Sequence, residues 1–160
     1  VGCDGFVYIH EATWSVPAMG NVRPYTANDY DAVIALYQNG SSFGGQFDEA
    51  RDSREKIESA IARDPDSLLV FEQDGKILGT ISLIENGRVA WLFRFAVSNV
   101  SNQQEVEAAL YSHATNILAS RGHDQILVYS DPTKDSLNER YRRLGMTEGS
   151  LYRCFWNQIR

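Results

Sequence analysis

Apolar and polar positions follow two periods along this chain, and the switches between them divide it into elements. Tyr30, Val33, Ile34 and Tyr37 fall at i, i+3, i+4 and i+7, one stripe of an amphipathic helix. Thr26 or Asn28 suits its N-cap, with Asp29 and Asp31 in the first turn, where the helix dipole favours negative charge. QNGSSFGGQFDEA then reads as a glycine- and serine-rich loop over residues 38–50. A second helix is predicted over residues 52–63, with Ile57, Ala60 and Ile61 inward. Asp64-Pro65 stops it, because the residue before a proline avoids the helical region.

The period then changes to two. SLLVFEQ and KILGTISLIE flank Asp74-Gly75, a dipeptide suited to a tight hairpin turn, and Asn86-Gly87 leads into RVAWLFRFAVS. Three consecutive antiparallel strands are expected. The helical period returns with Val106, Ala109, Leu110, His113, Ala114, Ile117 and Leu118 on one face, and Gly122 ends the helix. His113 on that stripe reads as a core histidine. QILVYS is a short, nearly continuous apolar run, the pattern of a strand buried on both faces. A helix over residues 135–144 ends near Gly145, and SLYRCFW reads as a last strand. The order α-α-β-β-β-α-β-α-β implies an α/β (α+β) fold with a mixed, mostly antiparallel central sheet flanked by helices. Residues 1–20 stand apart as an N-terminal extension, either a native extra strand or sequence added by cloning; residues 21–160 form a single domain.

Composition narrows the classes. Hydrophobic residues make up 43%, ordinary for a globular domain, and no apolar run approaches a membrane span. Nothing marks a secretory leader, so a cytoplasmic protein is expected. The net charge of −6, from 15 Lys+Arg against 21 Asp+Glu, disfavours nucleic acid as a partner. Cys3 and Cys154 form no metal spacing and are expected as reduced thiols; His10, His113 and His123 likewise form none, so no metal site is expected.

Four segments in order carry a resemblance: FAV at a strand end, a turn into a helix, RGHDQILVYSD, and NERYRRLGMTEG. Together they resemble the GNAT N-acetyltransferases over residues 21–160. The resemblance implies a GNAT-like sheet, acetyl-CoA as acyl donor, no metal, and direct attack on the thioester by a primary amine of a small molecule or peptide. A homodimer is compatible with it, and membrane and nucleic acid have no place in it. In such enzymes a glycine-rich turn holds the donor's pyrophosphate. Here the aligned residues are Asn102, Gln103, Gln104, Glu105, Val106 and Glu107, without glycine and with two carboxylates. Two readings stay open for this turn: an adapted pyrophosphate site, or a plain helix start closed by a capping box from Ser101 to Gln104 or from Asn102 to Glu105. Phe95, Ala96 and Val97 align with the strand that positions the acetyl carbonyl and pantetheine.

Tyr141 aligns with the tyrosine that protonates the leaving thiolate, a task that suits a phenol with a pKa near about 10. It reads equally as a core tyrosine. Arg140, Arg142 and Arg143 crowd one helix end, either as phosphate partners or as a solvated face favoured by the helix dipole. Arg94, unusual within WLFRFAV, is expected in a cleft or paired with a carboxylate such as Glu85. The family's strand glutamate is missing between residues 89 and 97, so Glu85 or Glu72 would have to supply the base through water. The 38–50 loop is expected to cover the acceptor, with Phe43 and Phe47 as a lid or as core anchors, and Asp48, Glu49 and Arg94 near the acceptor. The function implied is acetyl transfer to a primary amine; the alternative is a GNAT-like binding or regulatory module without catalysis.

Overall fold

The computed structural model describes residues 20–39 and 47–159. Nearly all of the 1–20 extension, and Phe43 in the loop, lie outside the described residues. Five strands form one sheet in the order β1 (Asn21–Pro24), β2 (Leu68–Gln73), β3 (Lys76–Glu85), β4 (Ala90–Val97) and β5 (Ile126–Leu127). Neighbours among β1 to β4 are antiparallel, and β5 runs parallel to β4. The helices are α1 (Tyr30–Asn39), α2 (Glu49–Asp52), α3 (Arg54–Arg63), α4 (Gln103–Ser120) and α5 (Asp135–Arg143). The mixed, mostly antiparallel sheet with flanking helices is the expected fold class.

Alternation along the strands sends side chains to two cores. Leu69, Phe71, Ile81, Leu83 and Leu92 pack under α4 with Val106, Leu110, Ala114 and Leu118. Leu68, Val70 and Ala96 pack on the other face with Val33, Leu36 and Tyr37 of α1 and Ile57 of α3. Leu110 and Leu118 are fully buried, and burial of each contributes about 2 kcal/mol. Asp74 and Gly75 both take positive φ, as the tight β2–β3 turn requires.

A bulge re-aims β4. Thr80 pairs with Ala96 and Ser82 with Phe93, so two residues of β4, Arg94 and Phe95, face the single residue Ile81. Arg94 adopts a left-handed φ of 49° there. Leu92 and Phe95 consequently share the α4 face although they stand three positions apart, an odd spacing that regular alternation would send to opposite faces.

Several expectations are corrected. β1 lacks any apolar alternation and forms because it pairs with β2. The second predicted helix is α3, which starts two residues late at Arg54 because the Ser53 hydroxyl accepts from the Lys56 N–H, and α2 is an extra short helix begun within the expected loop. Asp48 caps α2 by accepting from the Ala50 N–H. β5 is two residues long and half-buried, an edge strand and not one covered on both faces. His113 is exposed, because Glu107 takes a place on the buried stripe and rotates it. Residues 150–156 form no strand, and their large side chains are exposed.

Candidate active site

The turn at the start of α4 opens into a cleft of about 620 Å³. Val100, Ser101 and the residues from Asn102 to Glu105 line one side, with Glu107 at the floor. Ser136, Leu137, Arg140 and Arg143 of α5 line the other. The turn and α5 meet here because β4 and β5 pair only at Ala90–Ile126 and Trp91–Leu127, leaving the later residues of β4 without a strand on that side.

No side chain caps α4. The expected capping boxes are absent: Asn102 turns its Nδ2 to the Gln73 Oε1 at 3.1 Å. Backbone carbonyls take the N–H groups of Gln103, Glu105 and Val106, and none takes that of Gln104. The positive end of an 18-residue helix therefore faces the cleft.

The two carboxylates of the turn are not equivalent. Glu105 is exposed. Glu107 is buried and ion-paired twice, with Arg140 Nε at 2.8 Å and Arg143 Nη2 at 2.6 Å. Gln103 adds a hydrogen bond from Nε2 at 2.8 Å. The charge of Glu107 is thus more than matched, and it does not repel an anion as an exposed carboxylate would. Its signal was present in the sequence: Glu107 lies three residues before Leu110 and seven before Ala114, on a stripe where a bare charge is costly. The three arginines of α5 separate into roles. Arg140 is buried, Arg143 reaches the rim, and Arg142 pairs with Glu139 and Glu148 at the surface.

Phe95, Ala96 and Val97 are buried at the end of β4. The Phe95 carbonyl accepts a hydrogen bond from Arg140 Nη1 at 3.1 Å, so the guanidinium ties α5, the β4 end and α4 together. Tyr141 packs in the same core as Phe95, Val97 and Val106. Burial raises its pKa; Glu107 adds to the rise and Arg140 opposes it. The hydroxyl therefore stays protonated at neutral pH.

The remaining candidates lie on the opposite face of the sheet. Arg94 donates to Asp52 from Nε at 3.1 Å and from Nη2 at 2.5 Å, and both side chains are buried. Its carboxylate partner is Asp52 and not Glu85. Tyr37 and Phe93 flank the guanidinium. This pair borders a smaller cavity of about 190 Å³ between α3 and the sheet. Phe47 packs against the core of α1 and α3. Asp48 is held by Arg51 at 2.6 Å, which with the Ala50 N–H keeps its carboxyl below the usual range. Neither carboxylate considered as a base lines the large cleft. Glu85 accepts from the Gly87 N–H and meets His123, and Glu72 pairs with Arg23.

The donor set of the cleft is the Gln104 N–H at the start of α4, side-chain amides, hydroxyls and the rim guanidinium of Arg143. It fits a diphosphate; nothing in it ligates a metal, and no metal-binding group of His, Cys, Asp or Glu occurs among the described residues. No helix among them is long and apolar enough to cross a membrane.

Residues 26–146 match the family model described as Acetyltransferase (GNAT) family. Mycothiol acetyltransferase from Clavibacter sepedonicus is 26% identical over 140 residues, which are 85% of this chain and 45% of that protein. The chain thus spans about half the length of this curated relative. Among solved structures, Ard1 from Thermoplasma volcanium superposes with a TM-score of 0.69 at 17% identity, covering 82% of this chain and 84% of that one. The PaiA N-acetyltransferase of Thermoplasma acidophilum, solved in complex with coenzyme A, gives a TM-score of 0.67 at 17% identity, covering 78% and 87%. At these identities the structural likeness speaks for the fold alone.

Proposed function

We propose, from the premise that this chain belongs to the GNAT acetyltransferase family, that it transfers an acetyl group from acetyl-CoA to the primary amine of a small molecule or peptide. The observation that carries this reading is the uncapped start of α4, open to a cleft rimmed by Arg143. Bound acetyl-CoA supplies an acyl group activated as a thioester. The Gln104 N–H, the side chains of Ser101, Asn102 and Ser136, and the Arg143 guanidinium would hold its diphosphate. The Gln104 N–H needs no glycine to donate, and the Glu107 carboxylate is neutralised by Arg140 and Arg143. Tyr141 keeps a proton on its phenolic oxygen at neutral pH and delivers it to the leaving group. The acceptor would approach from the face of α1–α3, beside the Arg94–Asp52 pair.

A second reading rests on Arg140. Its Nη1 already satisfies the Phe95 carbonyl, a backbone group the acyl donor would otherwise engage. If that contact persists, the chain is a GNAT-like module that binds a partner without acetyl transfer. Titration calorimetry with acetyl-CoA and with CoA separates the two. Saturable binding of both, followed by thiol release with a panel of primary amines, is expected for the enzyme. Absence of binding at millimolar ligand leaves the non-catalytic reading.

A further inference from the structure

The cavity of about 190 Å³ between α3 and the sheet has a charge balance opposite to that of the chain. The whole chain carries −6, whereas the charged residues around this cavity are Arg51, Lys56 and Arg94 against Asp52 alone. Two of the three cations are matched. Asp52 takes Arg94 Nε and Nη2 on its two oxygens and also accepts from the Asp48 N–H, so that buried pair is neutral. Arg51 is paired with Asp48. Among the described residues the ion pairs of α2 and α3 all run through arginine, and none includes Lys56. One uncompensated positive charge therefore stands at the exposed rim of the cavity.

Two buried donors lie in the same wall. Arg94 Nη1 makes no hydrogen bond to a described residue, and the rings of Tyr37 and Phe93 flank the guanidinium and hold its plane. The Ser67 hydroxyl oxygen is buried and has no partner among the described residues, a costly state unless a ligand completes it. The rest of the wall is aliphatic, with Ile57, Ala60 and Ile61 of α3. The volume is below the roughly 300–1,000 Å³ of pockets that enclose drug-sized ligands, so the cavity takes one small group.

We propose that this cavity selects the acceptor and takes the carboxylate and short aliphatic side chain of a free α-amino acid. Lys56, Arg94 Nη1 and the Ser67 hydroxyl donate to the carboxylate, and the side chain lies against α3. The charge count favours a carboxylate over a phosphate: one unmatched cation balances a monoanion, and a dianion would add excess negative charge beside buried Asp52. The α-amine then points along β4 toward Phe95–Val97. Its fate rests on the acetyl-transfer reading; the binding of the carboxylate does not. In the transfer the N–C bond to the acetyl carbonyl forms as the C–S bond breaks, the amine loses a proton, and the sulfur gains one from Tyr141. The product is an N-acetyl amino acid.

Titration calorimetry of the full chain with CoA present tests this, using leucine, leucinamide and phosphoethanolamine as probes. Leucine is expected to bind at least about 10-fold more tightly than leucinamide, and phosphoethanolamine more weakly than leucine. Lys56→Ala, at an exposed site, should keep the fold and reduce the preference for leucine to less than about 3-fold. Lys56→Arg should restore it. Lys76→Ala, an exposed lysine of β3 away from the cavity, should leave it unchanged. Equal affinity for leucine and leucinamide, tighter binding of phosphoethanolamine, or no leucine binding at millimolar concentration would overturn the proposal. So would a preference for leucine that survives Lys56→Ala. Thiol release from acetyl-CoA, followed in parallel, separates the two readings. Selective leucine binding without thiol release supports the carboxylate site and refutes acetyl transfer to it; thiol release with equal KM for leucine and leucinamide does the reverse.

Discussion

Glu107 decides how the large cleft treats an anion. Two arginines and an amide hold it, so its removal strands Arg140 as a buried, half-paired cation. Glu107→Ala is expected to cost about 3–5 kcal/mol of folding stability, read by urea titration. Glu105→Gln, at an exposed site, is expected to leave stability within about 0.5 kcal/mol and to tighten CoA binding, because only this carboxylate adds uncompensated charge. Equal effects of the two changes would contradict the inequality of the carboxylates. Tyr141 acts through a single oxygen. Tyr141→Phe keeps the buried ring and removes the proton donor, so turnover should fall by roughly 10- to 1000-fold while CoA affinity stays. Wild-type turnover in that variant removes Tyr141 from the chemistry. The Arg94–Asp52 pair was half legible: an arginine inside an apolar strand announces a buried partner, but alternation alone cannot say which of 21 carboxylates supplies it.

At the scale of elements, β1 and α2 are held by side chains more than by their own patterns. Arg23 of β1 bridges Asp29 at 2.7 Å and Glu72 of β2 at 2.7 Å. Its guanidinium, with the Thr26 N–H, holds the Asp29 carboxyl below the usual range. A carboxylate with a depressed folded pKa stabilises fully above its unfolded value of about 3.9, and that contribution fades as pH falls through the folded pKa. Asp29→Asn should therefore lower the melting temperature clearly at pH 7, and the gap to wild type should narrow progressively as pH falls below the unfolded value of about 3.9. A gap that is constant with pH would mean that the ion pair contributes nothing. Phe47, leading into α2, packs on the core of α1 and α3, which favours the anchor over the lid for this ring. Being half-buried, it should cost about 2 kcal/mol on truncation to alanine, below the 3–5 of a fully buried ring. Amine affinity in the folded fraction should not change; a large change there with an unaltered melting temperature would restore the lid.

The whole molecule is two cores on one sheet, and the spacing between sheet and α4 is set at Gly79. A Cβ there would stand 2.8 Å from Leu110 Cδ1 and 2.9 Å from Val106 Cγ1. Gly79→Ala should push α4 from the sheet and cost about 1–3 kcal/mol. Because the same helix carries the cleft at its N-terminus, CoA binding should weaken along with the melting temperature. Retained affinity in a destabilised protein would show that the cleft tolerates a shift of α4.

Sequence alone determined what depends on neighbours within a turn or two: the amphipathic stripes of α1, α3 and α4, the Asp74-Gly75 hairpin, the glycines that end α4 and α5, and the order of the elements from α1 to α5 apart from α2. These follow from periods of 3.6 and 2 and from backbone freedom, which are local properties. The resemblance to the family rested on the same local pieces in the right order. Tertiary structure decided what depends on who meets whom. It added β1 by pairing and reduced QILVYS to a two-residue edge. It also took Glu107 into a double ion pair with arginines more than thirty residues away. The bulge at Arg94, the absence of a cap on α4 and the exposure of residues 151–159 belong to the same class. Each is an outcome of packing and charge pairing between distant segments, and no periodicity within a segment carries that information.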